Sequence, residues 1–102
     1  MIQVIGRAIK KPVEINWFRW NGFSQTHGKE LMEWVQSFGV DFTEHFVLNI
    51  EKNILTVNTL EGVYYNIPKG YIIIRGVKGE FYPCDVEIFN ETYNIIENNV
   101  SR

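Results

Sequence analysis

Gly70–Cys84, GYIIIRGVKGEFYPC, decides how this chain folds. Ile72, Ile73 and Ile74 are consecutive and β-branched, so Tyr71–Arg75 reads as a strand. Successive strand side chains point to opposite faces, so an apolar run without alternation needs cover on both sides. Gly76 and Gly79 flank Val77-Lys78 as a turn, and Glu80–Cys84 reads as a short following strand. A short helix over about 85–91 follows, with Asp85 as N-cap and Val86 and Phe89 facing inward. Tyr93–Ile96 reads as a last strand.

Working back toward the N-terminus, the same signals repeat. Val63–Ile67, Ile54–Leu60 and His45–Glu51 read as strands of a meander, separated by turns at Glu61-Gly62 and Lys52-Asn53. Leu31, Trp34, Val35 and Phe38 recur at the i, i+3, i+4, i+7 spacing of one buried helical stripe. Lys29, Glu30, Glu33 and Gln36 occupy the other face. This predicts an amphipathic helix over about 26–38, with Thr26 near its start and Gly39 closing it. Residues 13–20 (VEINWFRW) and 2–9 (IQVIGRAI) read as strands, parted by Lys10-Lys11-Pro12. The expected fold class is therefore α+β. It is mainly an antiparallel β-sheet, or a small open barrel, of about six to seven short strands with two helices.

Composition bounds the function. The chain has 102 residues, 45% hydrophobic and 15% aromatic, which suits one domain over residues 1–102 and excludes disorder. A single Cys excludes an internal disulfide and a Cys-based zinc site. Two His, His27 and His45, are too few for a His-rich metal centre, so neither metal nor cofactor is expected. A formal charge of −2 offers no bulk attraction to nucleic acid or acidic membranes. The chain has no apolar run of about 18 residues, and its N-terminal apolar stretch is broken by Arg7, which argues against a secretory signal. These features predict a soluble intracellular domain.

No catalytic motif stands out. Cys84 has an acid, Asp85, as its neighbour, which disfavours a thiolate and fits a small residue at the end of a strand. His27 and His45 read as surface or structural residues. The charge pattern is more informative. Residues 69–79 hold Lys69, Arg75 and Lys78 and no acid; residues 80–97 hold Glu80, Asp85, Glu87, Glu91 and Glu97 and no base. Glycines let a ligand approach backbone N–H groups, and Arg or Lys then pairs with phosphate. The plainer reading is a hairpin with solvated charges. The aromatic set (Trp17, Trp20, Phe23, Tyr64, Tyr65, Tyr71, Phe81 and Tyr82) exceeds what a small core needs. Some rings must therefore serve as a stacking platform or a subunit interface.

Three blocks resemble a family of small proteins found in phage and prophage genomes. They are KKPVEINWFRW (Lys10–Trp20), TLEG (Thr59–Gly62) and GYIIIRGVKGEFYPCDVEIFNETY (Gly70–Tyr93). The last is the most specific, being similar to the family's closing block of the type GxxIIxGxxGEFYPCxxxIFxxTY. Trp17 and Tyr71 depart from the family pattern, which has a small residue and often Asp there. The resemblance implies a phage accessory protein acting in the host cytoplasm, without a catalytic motif to carry over. Proteins of that kind act against host defence by binding a defence protein or by trapping a nucleotide-derived immune signal.

The leading expectation is therefore a homo-oligomeric, non-enzymatic binding protein that sequesters a cyclic ADP-ribose-type molecule or a cyclic dinucleotide. Arg75 and Lys78 are the candidate phosphate ligands. Trp17, Trp20 and Tyr82 are the candidate stacking rings, with Arg19 as a second charge. One alternative is a module that binds a host defence or phage protein through exposed aromatics or an edge strand. The other is a small nucleotide-acting enzyme, for which Glu80, His27 and His45 are the candidate bases. No recognition helix for nucleic acid is visible.

Overall fold

The computed structural model describes residues 4–22 and 24–96. Its elements in chain order are β1 (Asn16–Arg19), α1 (Gln25–Gln36), α2 (Phe42–His45), β2 (Phe46–Asn49), β3 (Ile54–Thr59), β4 (Gly62–Tyr64), β5 (Ile72–Arg75), β6 (Phe81–Cys84) and α3 (Val86–Thr92). The six strands form two three-stranded antiparallel sheets, β1-β5-β6 and β2-β3-β4. The fold is α+β, and among the described residues neither sheet closes into a barrel.

The isoleucine run sits in the centre of the first sheet and is buried on both faces. Ile73 points into the main core with Trp20, Leu31, Val35, Phe46, Leu55, Val57 and Phe81. Ile72 and Ile74 point the other way, into a second cluster closed by Phe89 of α3 and by Trp17. One strand therefore serves two cores. Each buried isoleucine contributes on the order of 1.5–3 kcal/mol relative to exposure.

The helix stripe is placed as its spacing requires. Leu31 and Val35 are buried, while Trp34 and Phe38 pack half-buried against the main core. The N-cap is Ser24, ahead of the weaker Thr26 signal; its Oγ accepts the His27 N–H at 3.1 Å. Gly39 closes the end by donating its N–H to the Gln36 carbonyl at 2.9 Å. At α3, the Asp85 carboxylate caps the N–H groups of Glu87 and Ile88, and Phe89 is buried.

Three local readings differ from the structure. Residues 4–9 belong to no sheet; the whole of 4–15 is an arm without helix or strand, exposed up to residue 14, and Ile2 and Gln3 lie outside the described residues. Tyr93–Ile96 forms no strand either, because Tyr93 already terminates α3 in extended conformation. Asp41 caps a four-residue helix, α2, that the sequence reading lacks, by accepting the Thr43 N–H at 3.0 Å.

Candidate functional site

The pleat divides the six sequence-predicted binding residues. Trp17 pairs with Ile74, and Ile74 with Tyr82, so these three form one row across the sheet on the α3 face. Arg19 lies two residues on from Trp17, on the same side, and is exposed. Arg75 belongs to the adjacent row, with Asn16 and Phe81, and faces the main core. Trp20 is also on the core side, 1% exposed, with no ring face open to a ligand. Phe23 lies outside the described residues.

The glycine-flanked basic hairpin turns the Arg75 guanidinium and the Lys78 N–H inward. The Arg75 guanidinium lies 4.4 Å from the Phe38 ring centroid and 5.1 Å from that of Phe81. Its Nη1 is buried without a hydrogen-bond partner. The Lys78 N–H donates to Glu80 Oε1 at 3.0 Å, so a carboxylate of the chain itself occupies the position that the sequence reading gives to a phosphate. Gly76 makes room for that carboxylate: a Cβ there would overlap it. Gly79 turns the chain with φ +81°. The Lys78 side chain remains exposed at the tip.

The candidate bases are likewise built into the fold. His27 clamps β1 to α1. Its Nε2 accepts the Asn21 N–H at 3.0 Å, and the ring bonds the Arg19 carbonyl. The ring lies 5.0 Å from Phe18 and 5.2 Å from Trp20, and burial holds its pKa below the usual histidine value. His45 sits edge-on to Phe81 at 5.0 Å. The Cys84 thiol is pushed up first by burial and then by the Asp85 charge, so the protonated thiol is favoured. Among the described residues no group of three or more His, Cys, Asp or Glu could hold a metal ion.

A wide concavity lies elsewhere. A cleft of about 1000 Å³ runs between the arm, β1, α1 and α3. Trp17 and Phe18 of β1, Trp34 of α1 and Tyr93 after α3 supply rings. Lys10 and Lys11 of the arm and Glu30 and Glu33 of α1 supply charges of both signs. Trp17 packs on Phe89 at 5.6 Å, Phe89 stacks on Tyr93 at 5.2 Å, and Lys10 Nζ lies 5.2 Å over the Tyr93 ring. This volume is at the upper end of the ~300–1,000 Å³ of small-molecule sites. Of the six predicted residues, Trp17 lines it.

A smaller recess of about 300 Å³ lies between β4 and β6 and is lined by Leu60, Glu61, Tyr64, Glu80 and Tyr82, among others. The Tyr82 hydroxyl meets that of Tyr93 at 3.4 Å. Burial, and then that hydrogen bond, push the Tyr82 phenol up.

Sequence reasoning passes over Lys10, Lys11, Trp34 and Tyr93, and reads Glu30 and Glu33 as a solvated face. The Lys10-Lys11 pair is a visible signal; the others are brought together only by the fold. Comparison with protein-family models, curated proteins and solved structures gives no match to the chain. Among the described residues no helix is long and apolar enough to cross a membrane.

Proposed function

We propose that this chain is a non-catalytic phage accessory protein that sequesters a nucleotide-derived immune signal in the host cytoplasm, and that the signal lies in the large cleft. The observation that carries this reading is the cleft's composition: aromatic rings, two lysines and three carboxylates (Glu14, Glu30 and Glu33) around one space. The three groups match the three parts of a nucleotide. Aromatic faces stack a base, ammonium groups pair with phosphate, and carboxylates accept hydrogen bonds from ribose hydroxyls. Trp17 and Tyr93 take the stacking role, Lys10 and Lys11 the phosphate role, and Glu30 and Glu33 the ribose role. Arg75, stacked on two rings at the core side, is left without a part in binding.

Isothermal titration with a panel of cyclic dinucleotides and cyclic and linear ADP-ribose derivatives tests this. The expected result is saturable heat with a Kd of tens of micromolar or tighter, about −6 to −7 kcal/mol. Trp17→Ala removes a stacking face worth ~1–3 kcal/mol, a weakening of about 5- to 150-fold. Absence of heat across the panel, with folded protein at tens of micromolar, overturns the nucleotide assignment. Consumption of the bound nucleotide would instead favour an enzyme.

A further inference from the structure

Residues 4–9 combine three properties. Val4, Ile5 and Ile9 are 87–95% exposed, the segment is outside both sheets, and its sequence has the β-branched character of a strand. Isolated exposed apolar residues are ordinary, but a strand-like segment without a partner strand is not. The second sheet offers the complementary feature. Its order is β2-β3-β4, so among the described residues the outer edge of β4 pairs with no strand. Gly62, Val63 and Tyr64 are all exposed there. Such an edge presents unpaired N–H and C=O groups to any extended segment that reaches it.

The side-chain chemistry selects the occupant. In an extended arm Ile5, Arg7 and Ile9 share one face, and Val4, Gly6 and Ala8 share the other. Beside β4 lies the recess with Leu60, Glu61, Tyr64, Glu80 and Tyr82; its lining contains two carboxylates and no base. Tyr64 pairs with Val57, a buried residue, so the Tyr64 face is the inward face of the sheet. A segment added beside β4 with Arg7 on that face would bring a guanidinium to two phenol rings and two carboxylates. Ile5 and Ile9 would flank it, over the exposed Leu60. Arg is suited to such a place because it pairs with carboxylates and stacks on rings together. The arm of the same chain is engaged elsewhere: its Lys10–Ile15 portion walls the large cleft, with Lys10 over Tyr93.

We propose that residues 4–9 of one copy add as a strand to the free edge of β4 in a second copy, with Arg7 in the Tyr64–Tyr82 recess. Reciprocal exchange of two arms closes a twofold dimer in which both arms and both β4 edges are used. This inference stands independently of what the large cleft holds.

The test is the light-scattering mass of the full chain at about 100 µM, a concentration that populates dimers of micromolar Kd. Twice the 12.0 kDa of one chain is expected. Ile5→Asp with Ile9→Asp is expected to give a monomer that still unfolds cooperatively on heating, because the arm lies outside both cores. Arg7→Glu and Glu61→Arg are each expected to weaken the dimer at least tenfold. An equimolar mixture of those two variants is expected to regain it, because in the mixed dimer the changed position 7 meets the changed position 61 with opposite charge, and the parent Arg7 meets the parent recess. A monomeric parent chain overturns the proposal, whether the edge stays open or holds the chain's own arm. So does a dimer indifferent to the Ile5/Ile9 change, or a mixture that fails to recover.

Discussion

His27 is the point where β1 and α1 are tied together, and its removal has a worked consequence. In His27→Ala, the Asn21 N–H loses its acceptor and the Arg19 carbonyl loses its donor. Each hydrogen bond is worth ~1 kcal/mol net, and less here, because both main-chain sites reach water. The ring also leaves Phe18 and Trp20, at 5.0 and 5.2 Å, where such contacts contribute ~0.5–1.5 kcal/mol each. The sum is about 2 kcal/mol, or a fall in Tm of roughly 10 °C for a domain of this size. The pH dependence supplies the sharper test. An Nε2 that accepts an N–H requires the neutral ring with its proton on Nδ1. Burial lowers the folded pKa below the ordinary 6.5, against the opposing pull of Glu30 and the Arg19 carbonyl. Above pH 6.5 the ring is neutral in both states and its contribution is fully present. As pH falls below 6.5 the unfolded chain gains a proton first, and stability is lost until the folded pKa is passed. Urea unfolding followed by tryptophan fluorescence at about pH 7.5 and about pH 5, above and below the ordinary histidine value, reads this directly. The stability gap between parent and His27→Ala is expected to narrow at the acid end. A gap that stays constant or widens would refute the clamp, since all other titrating groups are common to both chains.

Three further outcomes follow from the same geometry. Arg75→Met exchanges a stacked cation with a buried, unpartnered Nη1 for an apolar chain of similar length. Stability by chemical denaturation is expected to stay within about 1 kcal/mol of the parent or to rise, because the lost cation–π contact is offset by relief of the unpaired donor; nucleotide titration should be unchanged. Gly76→Ala drives the Glu80 carboxylate out of the hairpin and is expected to cost ~1–3 kcal/mol, as overpacking does. Adding Glu80→Ala should recover most of that loss, so the pair departs from additivity by more than ~0.5 kcal/mol in a double-mutant cycle. Asp85→Ala uncaps α3, which closes the second core, and should lower stability by about 1 kcal/mol in thermal unfolding.

The parts of this fold legible in the sequence are those fixed by local patterning. The isoleucine run demands cover on both faces and has it. The stripe of Leu31, Trp34, Val35 and Phe38 locates α1, and Asp85 locates the start of α3. Residues 4–9 show where that logic stops. A strand needs a partner as well as β-propensity, and the partner is a non-local fact. The site is less legible for the same reason. Its walls come from residues 10–18, 30–34 and 89–96, which share no local motif. Arg75 invites a phosphate-binding reading from its neighbours in the chain. Its place in the pleat puts it against Phe38 and Phe81 instead, and nothing near it in sequence reveals Phe38. Glu80 stands outside the basic stretch in the sequence, yet its carboxylate folds back into it through the glycine at 76.

The arm at 4–15 is one continuous segment with two employments. Its inner half walls the cleft through Lys10 and Lys11, and its outer half carries the exposed isoleucines. Seating the outer half on a neighbour would restrict the inner half and so pre-form one wall of the cleft. Ligand capture and pairing of chains would then be linked equilibria, each favouring the other by the same factor. Titrations of dilute and concentrated protein would give different apparent affinities. A cell making more of this chain would gain in affinity per site as well as in number of sites.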